Sequence, residues 1–262
     1  MQLAVLLVLA ALLLGACAQP GSVPAASAEP RTAFDQTDAD RRAANRMELA
    51  SLYYARGQYE TALDETKLAL AAKPDLGAAF GLRGLIYAAM GEERLADESF
   101  QRALAINPRD ADAMHNRAWF QCQSRRFDEA ERGFEQALAQ PQYREQARTL
   151  LAQGVCLARA GKLDASEQKL VRAFELDTGN PTVALNLAEV LHRRGQSERA
   201  RFYIQRVHQR DEWTSAGSLY LALRIERRLG NGPAVDLLAQ QLRNRFPQSP
   251  ESLSIDRGRI DD

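Results

Sequence analysis

The chain has 262 residues, 45% of them apolar, and carries 34 basic and 34 acidic side chains for a formal net charge of zero. Balanced charge argues against sequence-independent binding of nucleic acid, which needs an excess of Lys and Arg to displace counterions. Leu3 to Ala16 is apolar, but no run reaches the roughly 20 residues that a membrane-spanning helix requires.

Met1 to Ala16 reads as an export signal, a short apolar core followed by small residues. Met1-Gln2 lack the Lys or Arg that usually precedes such a core. The sequence Leu14-Gly15-Ala16-Cys17 resembles the cleavage box of bacterial lipoproteins. That resemblance implies cleavage before Cys17 and lipidation of its thiol. Because Ala18 rather than aspartate follows, it also implies sorting to the periplasmic face of the outer membrane. The alternative is an ordinary secretory signal with an incidental cysteine. From Cys17 to about residue 42 the chain is rich in Pro, Ala, Ser, Gly and Asp, with Val23 and Phe34 as almost its only large apolar residues. Such a segment buries too little to fold and is expected to be a disordered tether, with an end-to-end distance of about 25–30 Å.

From Ala43 onward a pattern with a 34-residue period sets in. Tyr53 recurs as Tyr87, Gly57 as Gly91, Ala62 as Ala96, Ala69 as Ala103 and Pro74 as Pro108. Within each copy, apolar residues at helical spacing form two runs. A glycine between them marks a left-handed helix end, and a proline closes the unit because it cannot continue a helix. Copies span about 43–76 and 77–110. A third begins at Ala111 and keeps Ala130, Phe134 and Ala137, but has Arg125 in place of glycine and Gln140-Pro141-Gln142-Tyr143 at its end. Gly161, Gly195 and Gly230 mark further copies at about 147–180, 181–214 and 216–247, the last two with Val207 and Leu242 where the second alanine stood. Atypical copies are expected at the ends of such a stack. Residues 248–262 are polar and read as a loose tail.

The pattern resembles the tetratricopeptide repeat (TPR), with Ala62, Ala69 and Pro74 at that family's signature positions. The resemblance implies an all-α, right-handed superhelical solenoid of about six repeats over residues 43–247.

Little in the chain suggests catalysis. His115, His192 and His208 form no metal-binding spacing with another ligand residue, and no phosphate loop or nucleophile elbow occurs. His192 and His208 sit in Arg-rich helices, where exposure to solvent is expected. Neither an enzyme nor a cofactor or metal site is expected. Cys122 and Cys156 are an even pair in a chain expected outside the cytosol, where disulfides persist. They occupy near-equivalent positions of the first helices of the third and fourth repeats. They can be bridged there, or packed as two reduced small apolar residues.

In the tetratricopeptide family certain first-helix positions face the concave side, and here they include Met47, Tyr54, Leu85, Trp119, Leu151 and Val155. A large apolar stripe of this kind reads as a partner-binding groove, unless its members close against neighbouring repeats. Residues 181–247 hold many more Arg than Asp or Glu. They read either as a solvated helix face or as a basic patch for an acidic partner or phospholipid heads.

A narrower resemblance rests on three segments that occur in order: Asn116-Arg117-Ala118-Trp119-Phe120-Gln121-Cys122, then Pro141-Gln142-Tyr143, then Gly154-Val155-Cys156-Leu157-Ala158-Arg159-Ala160-Gly161. With the ending Phe246-Pro247-Gln248-Ser249-Pro250-Glu251, they are similar to the type IV pilus biogenesis and stability lipoproteins (the PilF/PilW group, or pilotins). That resemblance implies a non-enzymatic scaffold that helps the pilus secretin reach or assemble in the outer membrane, or that stabilises the fibre. Its partners would be the secretin or other pilus assembly proteins, and Cys122 and Cys156 would be joined between the third and fourth repeats. Other lipoproteins built of these repeats serve β-barrel insertion or cell-wall synthases, which is the alternative from the same compartment.

Overall fold

The computed structural model describes residues 37–258, so the export signal, Cys17 and all but the end of the expected tether lie outside the described residues. Among the described residues the regular elements are thirteen α-helices and one 3-10 turn, with no strand. The helices pair as hairpins: α1 (Asp38–Ala55) with α2 (Tyr59–Ala72), α3 (Gly77–Ala89) with α4 (Glu93–Ile106), and α5 (Ala111–Gln123) with α6 (Phe127–Leu138). Then follow α7 (Gln146–Arg159) with α8 (Leu163–Leu176), α9 (Pro181–Arg193) with α10 (Ser197–Val207), and α11 (Ala216–Arg228) with α12 (Gly232–Arg245); α13 (Pro250–Asp256) closes the array. Six helix-turn-helix units in a row make a solenoid in which each unit packs on its neighbours, and the first helices of successive units stand side by side.

Each hairpin turns the same way. At the end of α1 the amide of Gln58 donates to Tyr53 O at 2.9 Å, closing a left-handed turn at Gly57 (φ +73°). The bond recurs from Glu92 to Tyr87, Arg126 to Gln121, Lys162 to Leu157, Gln196 to Leu191 and Asn231 to Glu226, at 2.8–3.0 Å. Five of the six turns use glycine, and Arg125 occupies the third with φ +61°. An L-residue pays about 1–2 kcal/mol in that region. Arg125→Gly is therefore expected to stabilise the protein by about 0.5–1 kcal/mol, after the extra entropy of glycine in the unfolded chain is deducted. The measurement is a urea melt, and a midpoint that fails to rise would show that Arg125 offsets its own strain.

The hairpins close on small residues. Ala62, Ala69, Ala96, Ala103, Ala130, Ala137, Ala173 and Ala200 are fully buried, letting paired helices approach closely. Where the fourth unit has Ser166 instead, its hydroxyl donates to Gly154 O at 2.7 Å and leaves no unmet polar group. Val207 and Leu242, the departures in the last two units, are equally buried and fill the same inter-helix space with more volume.

Three expectations change. The first helix starts at Asp38, not near residue 43, and Lys73 Nζ holds Asp40 at 2.6 Å, so the tether reading ends earlier than residue 42. The segment expected to be a loose tail contains α13. Ser249 caps it by accepting from the Ser252 amide at 3.1 Å, Pro250 starts it, and Ser252 and Ile255 are buried against the sixth hairpin. His192 is buried at 1% exposure, and His208 is half-buried, with Nε2 3.1 Å from Ser218 Oγ. Both lie on the inward stripes of otherwise Arg-rich helices. Burial, and then the Arg245 guanidinium, lower the His208 pKa from its ordinary value.

The Arg-rich region is largely committed within the fold. Arg194 bridges Asp164 and Glu167 of the preceding unit, Arg199 reaches Glu167, and Arg201 binds Glu226 of the next unit at 2.7 Å. Arg243 pairs with Asp256 at 2.8 Å and Arg245 with Asp211 at 3.3 Å. These pairs stitch neighbouring units together rather than presenting an open basic face.

Candidate functional site

The first helices α1, α3, α5 and α7 carry all six residues expected to line a groove. Met47, Tyr54, Leu85, Trp119, Leu151 and Val155 are half-buried; none is sealed in the core and none stands fully exposed. The stripe divides into two kinds of residue. Leu151 packs against Leu150, Leu170, Ala173 and the fifth unit, Trp119 packs against the cluster of Ala118, Phe134 and the two cysteines, and Leu85 rests on Ala96, Phe100 and Phe120. These three serve the junctions as well as the surface. Tyr54 has its ring 5.8 Å from Tyr59, and burial followed by that neighbour raises its pKa. Trp119 offers a ring face to the Arg159 guanidinium at 5.3 Å.

Between α3 and α5 the surface dips into a hollow of about 270 Å³. Its lining combines the apolar Ala78, Leu82, Leu85 and Ala113 with Gly77 and Gly81 and the polar Asp110, Asp112 and Asn116. Leu85 was expected from the sequence to line a groove, Asn116 was named only within a resembling segment, and Gly81 and Leu82 were not singled out. The signal available was Gly81 itself, a glycine inside a helical run.

The junction between the third and fourth units is built differently from the others. Cys122 in the last turn of α5 and Cys156 in α7 are disulfide-bonded with Cα atoms 5.8 Å apart. Beside them lies a buried polar chain that the sequence did not reveal. Arg148 Nε donates to His115 Nε2 at 3.3 Å, which leaves Nδ1 to carry the imidazole hydrogen toward Thr149 Oγ1 at 2.8 Å. Thr149 Oγ1 in turn lies 2.7 Å from Tyr143 Oη. Tyr143 comes from the irregular exit of the third repeat and is 9% exposed, and burial raises its pKa. Burial, and behind it the Arg148 guanidinium, hold the His115 pKa down at about 4. Arg148 continues outward to Asp112 at 3.4 Å and Asn116 at 3.2 Å, so the junction's interior is wired to the polar side of the hollow.

No cluster of three or more His, Cys, Asp or Glu able to hold a metal occurs among the described residues, and no described helix is long and apolar enough to cross a membrane.

Comparison with known proteins agrees with this architecture. Two models of the tetratricopeptide repeat match residues 78–110 and 99–132. The type IV pilus assembly protein PilF of Pseudomonas aeruginosa is 26% identical over 199 residues, covering 76% of this chain and 79% of PilF. Among solved structures, PilW, described as a widely conserved type IV pilus biogenesis factor, superposes with a TM-score of 0.76 at 30% identity, over 81% of this chain and 97% of PilW. A PilF structure superposes with a TM-score of 0.74 at 24% identity, over 85% of this chain and all of the PilF chain in that structure. YrrB, a TPR protein described as having an unusual peptide-binding site, shares the fold alone, with a TM-score of 0.59 at 17% identity. The chain belongs to the tetratricopeptide-repeat proteins of the PilW and PilF group.

Proposed function

We propose that this protein is a non-enzymatic scaffold for type IV pilus biogenesis. It is anchored to the periplasmic face of the outer membrane through a lipidated Cys17, and it uses the first-helix groove to bind the pilus secretin during its localisation or assembly. The observation that carries the reading is the 30% identity to PilW over 97% of the chain in its solved structure. The half-buried stripe from Met47 to Val155 supports the choice of surface: these side chains are too exposed for a core and too apolar for a solvated face. Aromatic anchors in such grooves commonly contribute about 2 kcal/mol or more each to binding.

The test uses Tyr54→Glu with Val155→Glu, because Leu85, Trp119 and Leu151 also hold junctions together. The double variant is expected to fold, to retain less secretin in a pull-down, and to reduce heat-stable secretin multimers in the outer membrane. Cys17→Ala is expected to release the protein from the membrane fraction with the same loss of multimers. Wild-type multimers on deleting the gene would exclude the secretin role, and fibres lost in that strain would assign the protein to fibre stability instead.

A further inference from the structure

Gly81 sits in the second turn of α3 with ordinary helical backbone, and a Cβ built on it meets nothing within 4 Å. A glycine inside a helix costs about 1 kcal/mol relative to alanine, and here neither backbone conformation nor packing repays it. One turn later Gly84 is the opposite case: its Cβ would lie 2.7 Å from Phe100 Cε1, so the fold needs the glycine. What the missing side chain at Gly81 does provide is open space on the lining of the hollow between α3 and α5. The lining is aliphatic at Leu82 and Leu85, and at the start of α5 it carries Asp112 and Asp110, the latter accepting from the Ala113 amide at 2.9 Å through one oxygen, with no Lys or Arg among the lining residues.

We infer that this hollow receives a Lys or Arg side chain from an extended segment of the protein partner. The inference rests on the groove reading above and names the chemistry of what the groove takes. A long basic side chain has an apolar stem and a cationic tip. The stem lies over Gly81 against Leu82 and Leu85, and the tip meets Asp110 and Asp112. Asn116, half-buried among the polar lining residues, accepts from Arg148 at 3.2 Å through Oδ1 and keeps its amide hydrogens to donate to the carbonyls of an extended backbone. Arg148 already reaches Asp112, but at 3.4 Å between largely exposed groups, a pair of little net worth that an incoming cation replaces or shares. An acidic segment would instead bring further negative charge against Asp112, which has only the exposed Arg148 pair, and against Asp110, whose Oδ1 already accepts from the Ala113 amide at 2.9 Å as the cap of α5.

Short random peptides displayed on phage and selected on the immobilised mature protein test this without knowing the partner. The recovered sequences are expected to share one Lys or Arg beside an aliphatic residue. Synthetic versions should lose about tenfold in affinity when that residue becomes Gln. Asp112→Asn should weaken binding and flatten its salt dependence. Gly81→Leu should abolish binding, and Gly81→Ala, which raises helix propensity and keeps the fold, should weaken it. Recovered peptides without a shared basic residue, binding unmoved by Gly81→Ala and Gly81→Leu in folded protein, or no enrichment at all would each overturn the inference. Secretin pull-down in the same Gly81 variants separates the two readings: retention at wild-type level leaves the groove proposal standing while the hollow is excluded.

Discussion

Replacing Cys122 and Cys156 together by alanine is expected to lower the unfolding free energy of the oxidised protein by about 3–4 kcal/mol. The two residues are 34 apart in sequence. Cutting the link returns to the unfolded chain the conformational freedom of a loop of that length, and the folded state gains little in exchange because both side chains are buried. The loss falls on the junction least supported by repeat regularity. Its turn uses a strained Arg125, and its exit replaces the simple proline stop with a short irregular segment ending in Tyr143. Urea melts of oxidised wild type, reduced wild type and the double variant give the comparison. The last two are expected to agree and to unfold earlier. Coincident curves for oxidised and reduced wild type, or two titratable thiols in unreduced protein, would exclude the staple.

Acidification is expected to attack the same junction by another route. The folded pKa of His115 is about 4, below the ordinary 6.5. Between those values the unfolded chain holds a proton that the folded chain lacks, so stability rises with pH there. It is fully present above about pH 6.5, is lost as the pH falls, and the loss is complete below about 4, on the order of 3 kcal/mol in total. The structural reason is visible at both ring nitrogens. Protonation would remove the acceptor for Arg148 and set a second cation beside it, within a pocket closed by the Phe134 ring at 5.7 Å and by Thr149 and Tyr143. Among the described residues Asp112 is the carboxylate paired with Arg148, and it is exposed, outside the pocket. His115→Asn should flatten the dependence of the urea midpoint on pH between 6.5 and 4. An equally steep dependence in the variant would assign the acid sensitivity to the carboxylates elsewhere.

The repeat architecture was legible because its marks are local. A glycine needed for a left-handed turn and alanines needed for close helix approach recur at a fixed spacing, and Gly57, Gly91, Gly161, Gly195 and Gly230 all take the positive φ that the pattern implies. Arg125 showed where the pattern bends but not that arginine adopts the same turn. The histidines were misjudged because the arginines around them dominate a reading by composition. A helical period would have placed them correctly, since His192 lies four residues after the buried Ala188 and His208 four after the buried Ile204. The hydrogen-bonded chain through Tyr143, Thr149 and His115 joins residues from two repeats and the segment between them, so no local pattern announces it. The same holds for the hollow, which is defined by a side chain that Gly81 does not have.

Helix α13 covers the apolar end of the repeat array that the sixth hairpin would otherwise leave open. An array of repeats grows by adding the same interface again, and the outer face of the sixth hairpin, with Leu219, Leu223, Ala239 and Leu242, is built like an internal junction awaiting its next unit. A head-to-tail contact of that kind does not close on itself, and it yields an open rod rather than a counted oligomer. The seven residues of α13 seat Ile255 on this face, while Arg243 holds Asp256 at 2.8 Å. The apolar surface that a further copy would need at that end is thereby occupied by residues of the same chain.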